Sequence, residues 1–179
     1  EWLDMGDYVW VPRAWGRQHV QDAVDDLPVW ERKMRFASKV TLRDHQYGAI
    51  AAIVEDGRMK EGILGMNVGR GKTVVSLHAL SLLKTGPVLV VVPNGMLMAQ
   101  WLERIDQALS HVEGGVGQVG GGKDDWAGRG LVVGTIQTLA LQDMGQSFYD
   151  YFETVIIDEG HTTAADKYSR VFWKFPGRR

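Results

Sequence analysis

The 179 residues hold 45% apolar and 23% charged side chains with a formal net charge of -2, the make-up of a globular domain large enough for its own core. That balance excludes a global basic field for gripping nucleic acid and leaves only local patches. The chain has no cysteine, which excludes disulfides and thiolate metal sites, and its apolar runs are too short for a membrane-spanning helix or a signal peptide.

Residues 1–40 stand apart, with Trp2, Trp10, Trp15 and Trp30 among mixed charges. Tyr8-Val9-Trp10-Val11-Pro12-Arg13 reads as a short strand stopped by proline, and Ala23 to Arg35 as a helical or irregular connector. These aromatics suit a nucleic-acid surface or packing onto the main domain, and packing is the expected outcome. Thr41 is the predicted N-cap of a helix whose apolar face is Tyr47, Ile50, Ala51 and Val54, ended by Asp56-Gly57. Gly62-Ile63-Leu64-Gly65-Met66 reads as a buried strand, followed by a glycine-punctuated turn and a helix over Thr73 to Leu80. Val88-Leu89-Val90-Val91-Val92 has the continuous apolar character of a strand covered on both faces. After Pro93-Asn94-Gly95, the spacing of Leu97, Met98, Trp101, Leu102, Ile105 and Leu109 predicts another helix. Six glycines between Gly114 and Gly122 surround Val116-Gly117-Gln118-Val119, either a short strand with a tight turn or a loop. Leu131 to Ile136 and Thr154 to Asp158 complete the strands. Strands alternating with helical patterns predict an α/β fold with a mostly parallel central sheet flanked by helices.

The turn between the Gly62–Met66 run and its helix, Met66-Asn67-Val68-Gly69-Arg70-Gly71-Lys72-Thr73, carries the chemistry of a phosphate cradle. Gly69 and Gly71 let backbone N–H groups converge on phosphate oxygens, and the helix N-terminus adds partial positive charge. Lys72 is placed to reach the β- and γ-phosphates, and the Thr73 hydroxyl to ligate Mg²⁺. The pattern is a variant, since Met66 stands where the first glycine of the usual phosphate loop falls.

Asp158-Glu159 follows Val155-Ile156-Ile157 at a strand's C-terminal end, where open α/β sheets bind ligands. Two adjacent carboxylates suit two roles. Asp158 holds the metal through water, and Glu159 orients and deprotonates the attacking water. Alone, the pair also suits capping of a surface turn; together with the phosphate loop it defines one nucleotide site. His161, two positions on, is a candidate member of the same group.

The phosphate loop and Asp158-Glu159-Gly160-His161 resemble motifs I and II of the superfamily-two helicases, the second as a D-E-G-H variant of the DEAD/DEAH box. Leu42-Arg43-Asp44-His45-Gln46 resembles the adenine-reading segment of that family. Val90-Val91-Val92-Pro93 with Gln100-Trp101 resembles motif Ia, and Val133-Gly134-Thr135-Ile136-Gln137-Thr138-Leu139 the nucleic-acid-contacting segment that follows. The likeness is nearest to restriction-subunit-like and phage or repair DNA helicases, and the glycines before Lys123 match a turn common there.

The resemblance implies a P-loop NTPase of RecA-like fold over residues 41–179, preceded by an accessory segment, 1–40. It implies that the lobe stops before motif III and that a second RecA-like lobe with an arginine finger belongs to a longer protein, of which this chain, running from Glu1 to Arg179, is a piece. ATP and Mg²⁺ are the implied cofactors. Asn67, Val68, Gly69, Arg70, Gly71, Lys72, Thr73 and Val74 are to cradle the nucleotide, with Arg43 and Gln46 at the adenine. Thr73 and Asp158 are to hold the metal, with Lys72, Asp158 and Glu159 catalytic. His161 is to couple the nucleotide site to nucleic acid, which Pro93, Gln100, Thr135 and Gln137 are to touch; the same four also suit helix capping or packing. The implied partner is DNA rather than RNA, with no membrane, for a cytoplasmic protein of bacterial or phage origin. Two rivals stand beside the helicase or translocase reading: a non-motor P-loop kinase, and a docking module without turnover.

Overall fold

A computed structural model describes residues 30–60, 62–160 and 166–175, with residue 19 and the pieces 3–4 and 9–10. The last two pair as an antiparallel ribbon, β1 (Leu3–Asp4) and β2 (Val9–Trp10), of which only β2 falls within Tyr8–Arg13, where a strand is expected. Most of the Ala23–Arg35 connector lies outside the described residues.

The centre of the molecule is β6 (Val88–Val92), whose five residues are all buried. It pairs in parallel with β11 (Thr154–Ile157) on one side and β10 (Leu131–Thr135) on the other. Strand β8 (Val116–Gly120) extends the parallel ladder beyond β10, and β9 (Lys123–Asp125) closes it antiparallel, so the glycine-rich stretch is a strand and hairpin rather than a loop. The order is β11-β6-β10-β8-β9. β-Branched side chains fill β6 because both its faces are covered. Val88, Val90 and Val92 enter one core and Leu89 and Val91 the other.

The first core lies under α2 (Lys72–Leu80) and α3 (Gly95–Ala108), which contribute Leu77, Leu80, Met98, Trp101 and Ile105. The second lies under α4 (Ile136–Leu141), α5 (Gln146–Tyr151) and α6 (Asp166–Trp173). The seven residues 81–87 return the chain from α2 to the start of β6. So short a connection sets helix and strand antiparallel and brings the N-terminus of α2 toward the C-terminal edge of the sheet. Among the described residues no helix is long and apolar enough to cross a membrane.

Met34 and Phe36 belong to the first core. Strand β3 (Phe36–Ser38) pairs antiparallel with β7 (Leu109–Val112), so the helix expected to include Leu109 ends one residue earlier. Trp30 Nε1 donates to Asp150 O at 2.9 Å, and Lys33 Nζ reaches Glu153 Oε2 at 2.8 Å. Residues 30–38 are thus packed onto the sheet domain.

Four expectations are corrected upstream of the phosphate loop. The helix α1 (Asp44–Ile53) starts after Arg43 rather than Thr41, because the Gln46 side chain turns back to accept the Arg43 N–H at 2.9 Å. Its inner face is Gln46 and Ile50, while Tyr47 and Ala51 face solvent. Asp56-Gly57 does not end that helix. It is the two-residue turn of a hairpin, β4 (Val54–Glu55) and β5 (Arg58–Met59), with φ of 50° and 74°, the backbone such turns need. Residues 62–67 form no strand. Leu64 and Met66 pack on the α1–α2 core, but Ile63 is fully exposed; no neighbouring strand completes its ladder among the described residues.

The second core is closed by aromatic edges. Phe148 is fully buried, with ring centroids 5.3 Å from Trp126, 5.4 Å from Tyr149 and 5.1 Å from Phe152. Phe148→Ala leaves a cavity that rigid neighbours cannot fill, and is expected to cost about 3–5 kcal/mol, read as a lowered urea midpoint at unchanged slope.

Candidate nucleotide site

The phosphate loop owes its shape to two glycines. Gly69 and Gly71 take φ of 76° and 85°, a left-handed conformation that costs an L side chain energy and glycine none. The turn is closed by Arg70 N–H to Asn67 O (3.2 Å), and α2 begins with Val75 N–H to Gly71 O (3.0 Å). Lys72 opens that helix with Thr73 and Val74 in its first turn, all three half-buried, while Asn67, Val68 and Arg70 are exposed. The Lys72 ammonium folds back onto the loop and donates to Met66 O at 3.0 Å.

The α1 segment is brought onto this loop. Gln46 is buried to 4% exposure, and its Nε2 donates to Arg70 O at 3.1 Å. His45 Nε2 lies 3.4 Å from the same carbonyl. Space here is tight: a Cβ on Gly71 would stand 2.5 Å from Gln46 Nε2. Arg43 is exposed and meets Gln46 through its backbone N–H. One Nε2 proton of Gln46 remains beyond its bond to the loop.

At the sheet's C-terminal edge, Asp158 N–H extends the ladder by donating to Val91 O (2.9 Å). Its Oδ1 accepts from Glu159 N–H (3.0 Å) and its Oδ2 from the Trp101 indole N–H (2.7 Å). Glu159 sits at φ 51°, a backbone state that non-glycine residues adopt at a cost and that clusters at functional sites. Trp101 escaped the sequence reading as a site residue, since helical spacing marks it as core. The available signal was chemical: a buried indole N–H needs an acceptor.

Pro93 follows β6 and is half-buried; Gln100 on α3 and Gln137 on α4 are exposed. Thr135 is buried, and its hydroxyl caps α4, accepting from Thr138 N–H (3.4 Å) and sharing a hydrogen bond with Thr138 Oγ1 (2.9 Å). His161 lies outside the described residues.

A parallel sheet with helices on both faces, a glycine loop at a helix N-terminus and a carboxylate pair at the strand ends define a RecA-like lobe of superfamily-two helicase type. The pattern of the type III restriction enzyme res subunit family matches residues 39–178. The chain belongs to that family.

Over 149 residues the chain is 32% identical to the DNA 3'-5' translocase XPB2 of Sulfurisphaera tokodaii, covering 83% of this chain and 30% of that protein. It is 28% identical over 114 residues to an African swine fever virus protein named for ATP-dependent RNA helicase activity, covering 62% of this chain and 22% of the viral one. The chain thus spans less than a third of the length of either relative. The crystal structure of the UvsW helicase from bacteriophage T4 shares the fold, with a TM-score of 0.61 at 21% identity over 82% of this chain and 53% of that one.

Gly71→Ala forces an L side chain into left-handed backbone against Gln46. It is expected to cost about 1–3 kcal/mol and to shift the amide resonances of residues 43–46. Gly65→Ala, where an added Cβ meets nothing within 4 Å, is expected to stay within about 0.5 kcal/mol of the parent. Equal losses in the two variants, by chemical denaturation, would refute the tight seat of Gln46 on the loop.

Proposed function

We propose that this chain is the ATP-binding lobe of a DNA helicase or translocase, coupling ATP hydrolysis to movement on nucleic acid together with a second RecA-like lobe. The observation that carries the reading is the buried Gln46 seated on Arg70 of the phosphate loop. It joins the segment that resembles an adenine reader to the phosphate cradle, a link that a P-loop kinase does not require. The preference for DNA follows the DNA translocase among the relatives, which is more similar to this chain than the viral protein.

In this reading the backbone N–H groups of residues 67–74 receive the phosphates and Lys72 exchanges Met66 O for phosphate oxygen. Gln46 and Arg43 face the base. The hydroxyl of Thr73 and the carboxylate of Asp158 are hard oxygen donors of the kind that suit Mg²⁺, and Asp158 is already oriented by two donors. Bound there, Mg²⁺ would neutralise developing charge on the phosphates. Glu159 accepts the proton of the attacking water. Gln100 and Gln137 are the exposed contacts offered to the nucleic-acid backbone, with the half-buried Pro93 ahead of both in sequence; the hydroxyl of Thr135 serves its helix.

Two variants separate binding from turnover. Lys72→Ala removes a charge from the phosphates and is expected to weaken nucleotide binding by calorimetry at least tenfold. Glu159→Gln keeps shape but loses the proton acceptor. In the full-length protein it should bind ATP with nearly parental affinity and hydrolyse it at under about a hundredth of the parental rate. Parental turnover in Glu159→Gln would remove Glu159 from the role of base.

The isolated 179-residue chain should hydrolyse ATP barely at all, because in this reading the arginine finger, worth roughly 10³–10⁵ in rate in related machines, belongs to the second lobe. Phosphate release with ATP, Mg²⁺ and single- or double-stranded DNA, compared with the full-length protein, checks this. Robust DNA-stimulated turnover by the chain alone would overturn the need for a second lobe.

A further inference from the structure

Trp101 lies on the sheet-facing side of α3 at 4% exposure, among Met98, Ile105 and the valines of β6. Packing alone accounts for an apolar residue there, but not for an indole whose one polar atom meets a carboxylate. The Nε1–H donates to Asp158 Oδ2 at 2.7 Å, at the short end of the range for a bond to an ionised acceptor.

The rest of Asp158 is equally constrained. Its backbone N–H is fixed to Val91 O and its Oδ1 to the Glu159 N–H. A carboxylate has about four lone-pair directions over its two oxygens. Among the described residues Trp101 and Glu159 each occupy one, so each oxygen keeps one direction for a cation or its water. Indole can only donate, so it cannot become a ligand itself. What it can do is hold the rotamer in which Asp158 presents those two directions.

From this geometry we infer that Trp101 is the positioning residue of the metal-holding carboxylate. It rests on the proposed role of Asp158 and gives Trp101, quoted above only as part of a motif-Ia-like segment, a part in the metal site. Outer partners of metal-holding groups commonly change metal affinity about 10–100-fold when removed. Trp101→Phe keeps a large apolar side chain in the core and deletes the N–H. The Mg²⁺ concentration needed for half-maximal tightening of nucleotide binding should rise about 10–100-fold. Metal-free nucleotide binding, which uses the loop backbone, Lys72 and Gln46, should stay within about twofold. A residue that merely fills the core would move both affinities together, or neither.

The test is made on the 179-residue chain with three measurements. Indole N–H resonances are recorded first, and the one missing in Trp101→Phe belongs to Trp101. In Asp158→Asn that resonance should shift more than any other indole signal. Nucleotide binding is then titrated by calorimetry with and without Mg²⁺ in the parent, Trp101→Phe and Asp158→Asn. If the phenylalanine variant melts at a much lower temperature, 3-benzothienylalanine at position 101, which has the indole shape without the N–H, takes its place. An unmoved Trp101 resonance in Asp158→Asn overturns the contact and the inference with it. Unchanged Mg²⁺ dependence in Trp101→Phe, beside a weakened one in Asp158→Asn, overturns the positioning role alone. Unchanged dependence in Asp158→Asn, or no nucleotide binding by the parent, instead overturns the functional reading of the site, and the resonance still decides whether Trp101 holds that carboxylate.

Discussion

The burial of β6 on both faces and both edges is the constraint from which the site follows. Its five residues are fully buried and hydrogen-bonded to a parallel neighbour on each side. A strand so enclosed has one register and no freedom to slide, because a shift by one residue would exchange the valines of one core for Leu89 and Val91 of the other. Asp158 is tied to it through Val91 O, and α3, which carries Trp101, begins three residues after it ends. The carboxylate and the helix that orients it are therefore both referred to one rigid element. Parallel pairing adds a direction: β6, β8, β10 and β11 all end at the same edge, which gathers their C-terminal loops into one place.

The phosphate loop is held differently. The segment that leads into it, 62–67, forms no strand, so among the described residues no ladder fixes the loop from behind. Its supports are local: Gln46 from α1, the backbone turn at Asn67–Arg70, and the Lys72 ammonium on Met66 O. Such a loop can release its internal lysine bond without disturbing the sheet. Gln46 is the costlier part of the arrangement. A buried amide must have its hydrogen bonds satisfied, and here it spends its oxygen on the helix start and one proton on the loop.

The corrections at α1 come from that same residue. Apolar spacing favoured Tyr47, Ile50, Ala51 and Val54 as the inner face, because periodicity counts hydrophobic side chains. The face that is buried contains a polar glutamine, and a polar group in a core is invisible to a hydrophobic pattern. Asp56-Gly57 was legible as a turn, but its hairpin was not, since the paired segments Val54–Glu55 and Arg58–Met59 are two residues each, too short to show alternation. At 62–66 the apolar run was real and the strand was not. Strand-forming sequence needs a neighbouring backbone before it becomes a strand, and composition cannot supply one.

The sequence by itself determined the α/β class, the strands expected at 88–92, 131–136 and 154–158 to within one residue, the helix after Asn94, and the glycine turn of Gly69 and Gly71 ahead of Lys72. Each depends on local facts: side-chain periodicity, β-branching, a capping residue, a glycine where φ must be positive. Tertiary structure alone decided that Gln46 lies on Arg70, that Met34 and Phe36 complete the core, and that the indole of Trp101 ends on Asp158. Gln46 and Arg70 stand 24 residues apart along the chain, and Trp101 and Asp158 stand 57. Their contacts exist only because the parallel sheet and the helices over it bring distant segments to one edge, and no local pattern records which polar atom will find which.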